Sequence, residues 1–412
     1  MKRLLLLIPS TTYRATDFIA AAMRLDVKLL VGSERRQVLE KLTGGTVTLN
    51  FRDVEKSVRQ ILKLAKAQPL DAIVAVDDVA VVLAARAAEA LKLPHNKPDS
   101  VATTRNKHQF RQRMAEAGLP APKYRLMRVE GYPQTIASAV DYPCVLKPVT
   151  LSASQGVIRA NNPAQFVTAF ERIQSILRKS STKRDGVESD EAARQILIES
   201  YIPGMEVALE GLLVHGQLNV LALFDKPDPL EGPFFEETIY VTPSRLSGDQ
   251  QHTITEATQA AIMAIGLEEG PVHAELRLTD DGPVVIEVAA RSIGGLCARI
   301  LEFGAGIGLE ELILRHALSL PIENIDRERR AGGVMMLPIP HTGVLRSVRG
   351  KSRALSVAGI IDLTITVPIG QDVVPLPEGR QYLGFLFAKA ETAANAEGAL
   401  RSAHRHLVFD ID

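Results

Sequence analysis

The chain has 412 residues, enough for two or three domains that each bury a core of their own. Lys plus Arg and Asp plus Glu both number 48, so the formal net charge is zero and no overall field recruits nucleic acid or an anionic membrane surface. Two cysteines, Cys144 and Cys297, exclude a disulfide framework and a four-cysteine zinc site and suit a reducing cytosol.

Met1-Lys2-Arg3 and the apolar run Leu4 to Ile8 imitate a signal peptide, but the run stops at Pro9 and polar residues follow, so it reads as a first buried strand. No stretch reaches the roughly 18 apolar residues needed to cross a bilayer, and the expectation is a cytoplasmic protein. Leu4 to Ile8, Val27 to Val31, Thr46 to Leu49 and Ala72 to Val76 read as strands alternating with helical stretches, a parallel sheet under helices that ends near Leu93. The first strand runs into Pro9-Ser10-Thr11-Thr12-Tyr13, without the glycines that bring a pyrophosphate close to a helix N-terminus; this domain reads as a scaffold. A helix from Lys107 to Ala117 stops at Gly118 and is followed by Pro120 and Pro122.

Further strands are expected at Cys144 to Pro148, Gln155 to Arg159, Ile196 to Tyr201, Glu206 to Val214 and Gln217 to Phe224. Between them, Arg178 to Arg194 is charged and Ser-rich with no apolar period, and is expected to be mobile. Prolines at 227, 229, 233 and 243 preclude regular structure over most of Asp225 to Asp249, and loops of that length are usually functional or disordered. From Ala331 a strand-rich segment with one helix, Thr392 to His404, runs to Asp412 as a third small domain.

Three motifs carry chemistry. The stretch His273-Ala274-Glu275-Leu276-Arg277-Leu278-Thr279, then Asp280-Asp281-Gly282, then Pro283 to Arg291, reads as a hairpin with a three-residue loop. That register pairs 279 with 283 and sets Glu275 opposite Glu287, with Arg291 on the same face if the strand continues. Like charges directly opposite are destabilising, and a divalent cation resolves the conflict because carboxylate oxygens are hard ligands. A two-residue turn at Asp281-Gly282 would instead separate the two glutamates, and a solvated surface hairpin is the bland alternative.

The second motif is Cys144 to Pro148 with Lys147 at the end of an apolar strand, followed by Ser152-Ala153-Ser154-Gln155-Gly156. A buried ammonium needs a partner, and a phosphate beside a Ser- and Gly-bearing turn would serve. In the third, Ile196 to Ile202, with Glu199 and Tyr201, breaks at Pro203-Gly204 ahead of Glu206. Free backbone groups there can read an adenine edge, and Glu206 can accept ribose hydroxyls.

In order and spacing these pieces, with Lys107 before them, resemble the ATP-grasp superfamily, and most of all its L-amino-acid ligase and related carboxylate–amine ligase group. The finer likeness lies in Val272-His273-Ala274-Glu275, in the Glu-x-x-x-Arg-x-x-Gly-Gly run from Glu287 to Gly295, and in Gly232-Pro233-Phe234-Phe235-Glu236-Glu237 ahead of Thr242-Pro243-Ser244. The resemblance implies an α/β (α+β) ATP-grasp fold: a parallel α/β pre-ATP-grasp domain at 1–93, an ATP-grasp domain at 94–330 with a lid at about 107–200, and a C-terminal α+β domain at 331–412. It implies an ATP- and Mg2+-dependent ligase, with Mn2+ able to replace Mg2+, that joins a small-molecule carboxylate to an amine through an acyl phosphate. Lys107, Lys147, Ser152, Ser154, Gln155, Gly156, Glu199, Tyr201, Ile202 and Glu206 would bind ATP, and Glu275 and Glu287 the metal. Lys147 and Arg291 would act in catalysis, and Lys226, Glu237, His273, Arg291, Ser292, Gly294 and Gly295 would meet substrate. A homodimer is the default assembly. Where the family commonly has Asn, two residues after the second glutamate, this chain has Ala289, which leaves the number of bound metals open. His273 invites a general-base role, against second-shell or packing roles that are commoner for histidine. A biotin-carboxylase-like enzyme, a glycinamide-ribonucleotide-synthetase-like enzyme and a nucleotide-binding module without turnover remain alternatives.

Overall fold

The protein is described by a computed structural model, which covers residues 1–10, 12–35, 44–182, 191–304 and 306–412. The N-terminal part consists of β1 (Arg3–Leu7), α1 (Ala15–Arg24), β2 (Lys28–Ser33), β3 (Thr46–Thr48), α2 (Val54–Ala67), β4 (Ala72–Ala75) and α3 (Asp78–Ala90). Its strands are parallel in the order β3-β2-β1-β4. Leu4 to Leu7 are wholly buried, the unbroken apolar run of a strand covered by helices on both faces. Two helices lead onward, α4 (Pro98–Thr104) and α5 (Lys107–Glu116), the second capped by the Asn106 side chain, which accepts from the amides of His108 and Gln109.

A four-stranded antiparallel sheet follows, built from β5 (Tyr124–Arg128), β6 (Cys144–Pro148), β7 (Ile158–Ala160) and β8 (Gln195–Ser200) in the order β5-β8-β6-β7. Helix α6 (Pro163–Thr182) lays Phe166, Phe170, Ile173 and Leu177 on it, an apolar stripe at helical spacing. That stripe carries α6 past Arg178 into the stretch expected to be mobile; residues 183–190 of that stretch lie outside the described residues.

The remainder comprises β9 (Met205–Val214), β10 (Gln217–Asp225), β11 (Ile239–Thr242), α7 (Gly248–Ile265), β12 (Gly270–Thr279), β13 (Gly282–Ala289), β14 (Glu302–Phe303), β15 (Ile307–Gly308) and α8 (Leu309–Ala317). After these come β16 (Ala331–Leu337), β17 (Gly343–Arg349), α9 (Lys351–Leu355), β18 (Ile360–Ile365), β19 (Asp372–Val373), β20 (Gly384–Ala390), α10 (Ala393–His404) and β21 (Val408–Ile411). Eight of these strands form one antiparallel sheet in the order β13-β12-β9-β10-β11-β16-β20-β18. The C-terminal segment is therefore built into the central sheet, with β16 hydrogen-bonded to β11 on one side and β20 on the other. Among the described residues no helix is long and apolar enough to cross a membrane.

Candidate active site

The β12–β13 hairpin departs from its expected turn. Thr279 pairs with Gly282, so the loop is Asp280 and Asp281 alone. The Thr279 hydroxyl closes it, donating to the Gly282 carbonyl at 2.8 Å and accepting from the Asp281 amide at 3.2 Å. That shorter turn by itself would set Glu275 against Ile286. A β-bulge at Ile286 restores the pairing, with Leu276 facing Val285 and Glu275 facing Glu287. Ile286, Glu287 and Glu275 all line one cavity. The Glu287 side chain has no hydrogen bond or ion pair among the described residues.

Arg111, one helical turn after Lys107 on α5, holds the bulge. Its guanidinium donates to the Ile286 carbonyl at 2.8 Å, to the Val285 carbonyl at 3.4 Å and to Glu199 Oε1 at 2.7 Å. The other Glu199 oxygen lies 2.5 Å from Lys147 Nζ. Lys147 thus has a carboxylate partner in the protein, and two of its three donors remain for a ligand such as phosphate. Burial depresses the Lys147 pKa, with Glu199 partly offsetting it. Burial would raise that of Glu199, but Arg111 and Lys147 hold it below the usual range. Glu199 therefore anchors Lys147, with both oxygens committed to protein cations.

Across the cavity, the regular β9–β12 register sets Arg277 opposite Glu206, Glu275 opposite Ala208 and His273 opposite Glu210. Arg277 Nε donates to Glu206 Oε2 at 3.0 Å, and its terminal nitrogens reach Tyr201 Oη and the carbonyls of Ile202 and Leu230. One of the backbone groups at the end of that strand, the Ile202 carbonyl, is thus engaged by Arg277. Lys226, just past β10, brings Nζ to 2.7 Å from Glu206 Oε1, 2.8 Å from Glu237 Oε1 and 3.3 Å from Glu275 Oε1. Ligand oxygens of these three glutamates lie within 4.8 Å of one another. Burial opposes the charge on Lys226, yet the three carboxylates raise its pKa well above the ordinary value. Burial alone would raise Glu275, but Lys226 and His273 draw it well down. His273 sits between Glu210 (3.2 Å from Nδ1) and Glu275 (3.5 Å from Nε2). Burial disfavours its charge, but the hydrogen bonds its ring donates to both carboxylates outweigh that and lift its pKa to about 9. Its ring therefore braces Glu275 from behind and is itself held by Glu210.

Past β13, Arg291 Nη2 meets Asp78 Oδ2 at 3.0 Å and Nη1 donates to the Ser292 carbonyl at 2.9 Å. The Ser292 hydroxyl is buried and accepts from Arg14 at 2.5 Å, and the Ile293 amide donates to Glu210 at 2.9 Å. Gly295, at φ +64°, lies where a Cβ would come within 2.9 Å of Phe385, whereas a Cβ on Gly294 would meet nothing within 4 Å. Of the run Ser292 to Gly295, Gly294 alone therefore faces open space, and the scaffold role of the N-terminal domain takes the form of Arg14 and Asp78 gripping this loop.

Ser152 and Ser154 line the cavity with Lys107, whose Nζ donates to the Leu151 carbonyl at 2.5 Å. Gln155 and Gly156 turn the other way, onto the carbonyls of Glu378 and Pro377. Arg111, Arg277, Glu210, Asp78 and Arg14 escaped the sequence reading. Two had a signal: Arg111 shares a helix face with Lys107, and Arg277 follows Glu275 at the strand period of two.

Sequence profiles of known families match three stretches: the ATP-grasp N-terminal domain at residues 19–95, the ATP-grasp domain at 140–300, and the L-amino acid ligase C-terminal domain 2 at 335–412. The chain belongs to the ATP-grasp family. It is 29% identical to dapdiamide A synthase of Enterobacter agglomerans over 244 residues, 58% of this chain and 55% of that one. It is 26% identical to alanine–anticapsin ligase of Bacillus subtilis over 270 residues, 63% of this chain and 56% of that one. The alignments thus span about half the length of these two curated relatives. The crystal structure of L-amino acid ligase from Bacillus licheniformis superposes with a TM-score of 0.84 at 24% identity, covering 100% of this chain and 99% of that chain, a likeness of fold. ATP-grasp enzymes use ATP with Mg2+. The donor set fits such an ion: Glu275 and Glu287 are hard oxygen ligands in a cross-strand pair, and among the described residues the Glu287 carboxylate has no hydrogen bond or ion pair.

Proposed function

We propose that this ATP-grasp protein is an ATP- and Mg2+-dependent carboxylate–amine ligase that joins amino acids, or an amino acid and a small amine, and releases ADP and phosphate. The observation that carries it is the Glu275–Glu287 pair facing a cavity shared with Lys107 and Lys147. A substrate carboxylate oxygen attacks the γ-phosphorus, the bond to the β-phosphate oxygen breaks, and an acyl phosphate and ADP result. The amine nitrogen then attacks the acyl carbon, phosphate leaves, and the amine's extra proton passes to solvent or phosphate.

Lys107 and Lys147 hold phosphate oxygens, Ser152 and Ser154 add hydroxyls, and Tyr201, Ile202 and Glu206 border the base and ribose. Glu275 and Glu287 would hold Mg2+ or Mn2+, which would supply positive charge to offset that of the phosphates. Arg291, directed by Asp78 and the Ser292 carbonyl, has three of its five N–H groups left to meet an acyl phosphate. Glu237 lines the cavity and would meet substrate polar groups, while Lys226, its donors taken by Glu206, Glu237 and Glu275, holds it in place. The division into a pre-ATP-grasp domain at 1–93, an ATP-grasp domain at 94–330 and a C-terminal domain at 331–412 goes with this reading, as do a cytoplasmic location and a homodimer.

A phosphate-release screen with ATP, Mg2+ and all pairs of the twenty amino acids tests it, with Glu287→Ala as control. Release that needs two amino acids and vanishes in the control supports the ligase. Bicarbonate-dependent or phosphoribosylamine-dependent release without amino acids moves the assignment to a carboxylase-like or ribonucleotide-synthetase-like enzyme.

A further inference from the structure

The loop that follows β6 is conformationally demanding. Ala153 and Ser154 adopt φ of 55° and 52° and Gly156 φ of 75°, a left-handed stretch that side-chain-bearing residues enter only when the surroundings hold them there. Within the loop, support is thin: the Gln155 amide donates to the Ser152 carbonyl at 3.3 Å and the Val157 amide to Ser154 at 3.1 Å. The stronger contacts come from more than two hundred residues away. The Gly156 amide donates to the Pro377 carbonyl at 2.9 Å, and Gln155 Nε2 donates to the Glu378 carbonyl at 2.6 Å.

Glu378 also takes hold of the lid helix. Its carboxylate receives Arg172 of α6 in a two-pronged pair at 2.5 and 2.8 Å. The same guanidinium lies over the Phe234 ring, 4.8 Å from its centroid, and the Phe234 loop is joined to β7 through the Arg159 amide on the Pro233 carbonyl at 2.9 Å. The receiving turn is stiff: it carries Pro375 and Pro377 and is closed by the Gly379 amide on the Pro375 carbonyl at 2.8 Å. A single short turn of the C-terminal segment therefore meets the serine loop by its backbone and the lid helix by its one carboxylate.

We propose that Glu378 is a positioning residue: it clamps the Ser152–Gly156 loop and α6 shut over the nucleotide, so that the C-terminal segment governs how well the acyl phosphate is kept from water. This rests on the reading of Ser152 to Gly156 as the phosphate loop. Arg172 and Glu378 are each about a third exposed, 40% and 30%, so the clamp is weak enough to open once per turnover. It touches neither the nucleotide lysines nor the carboxylate pair, so its loss shifts coupling and nucleotide affinity instead of abolishing chemistry.

The test compares Glu378→Gln and the charge-reversed double variant Arg172→Glu/Glu378→Arg with the native chain. Glu378→Gln is expected to raise KM for ATP and the ratio of phosphate released to product formed, each by about ten-fold as charge-assisted bonds become neutral ones, with the reversed pair restoring both toward native values. Hydrogen exchange of the 151–157 amides with ADP and Mg2+ present is expected to quicken in Glu378→Gln and to slow again in the double variant. Native KM, ratio and exchange in a folded Glu378→Gln, or a reversed pair that restores none of them, overturns the proposal. Native enzyme that turns over no pair of amino acids refutes the ligase reading instead, and the exchange measurement then still decides the clamp.

Discussion

Replacing Arg111 by methionine is the sharpest test of how the site is held. Arg111 is 1% exposed and serves one carboxylate and two carbonyls, at 2.7, 2.8 and 3.4 Å. Arg111→Met keeps most of the volume but strands the Glu199 carboxylate with Lys147 alone and leaves the carbonyls of the bulge without a donor. Removing one member of a buried ion pair costs about 3–5 kcal/mol. For a unit of some 150–250 residues, at roughly 2–4 °C per kcal/mol, the melting midpoint falls by on the order of 10 °C. Arg111→Lys keeps the charge without the fork and should recover only part of it. Arg111→Met/Glu199→Gln removes the stranded charge, so its cost should undercut the sum of the two single changes by at least about 1 kcal/mol. Calorimetric melting of the four variants gives the cycle. A shift below about 2 °C for Arg111→Met, or additivity in the double variant, would refute the claim that this guanidinium joins Lys147 to the bulge.

Glu287→Gln and Glu275→Gln are each expected to lower ATP-dependent phosphate release at least about 100-fold with little change in the far-ultraviolet circular dichroism, checked by initial rates over a Mg2+ series. Arg291→Lys should reduce kcat on the order of 100-fold while KM for ATP changes little, since Arg291 is assigned to the acyl phosphate and lysine lacks its planar set of donors. Asp78 supplies an acid-dependent term. Burial pushes its pKa up, but Arg291 and Arg105 outweigh that and hold it below the ordinary 3.8. A depressed carboxyl stabilises the fold above its unfolded pKa and loses that contribution as pH falls toward its folded one. Native protein should therefore lose more stability than Asp78→Asn when denaturation is followed from about pH 5 down to about pH 3; parallel curves would show that the Arg291 pair contributes nothing.

Much of this was legible in the chain because period and punctuation carry it. Leu4 to Leu7 announces a strand buried on both faces, and Cys144 to Pro148 fixes where Lys147 must stand. The pairing of Glu275 with Glu287 was reached through a turn one residue too long, and a bulge of one residue made up the difference. A bulge leaves no mark in hydrophobic alternation, because Ile286 is as good a strand residue as any. What it needs is a donor for its freed carbonyls, and that donor, Arg111, comes from a helix 175 residues earlier. The partners of Arg291 and Ser292, Asp78 and Arg14, were likewise hidden, since contacts across more than two hundred residues are set by packing and not by local pattern. The Glu206–Glu237–Glu275 cluster around Lys226 depends on how a proline-bearing loop folds back, which neither period reveals.

The eight-stranded sheet leaves no clean cut between the C-terminal segment and the body it completes. Its sixth strand, Ala331–Leu337, belongs by sequence to the tail and by hydrogen bonding to the centre. An engineer grafting another tail onto this body would have to supply a strand in matching register, with glycine again where Gly332 and Gly333 lie against Ile300 and Leu400. A truncated chain would end in a bare β-edge, ready to recruit the edge of its neighbour and leave solution.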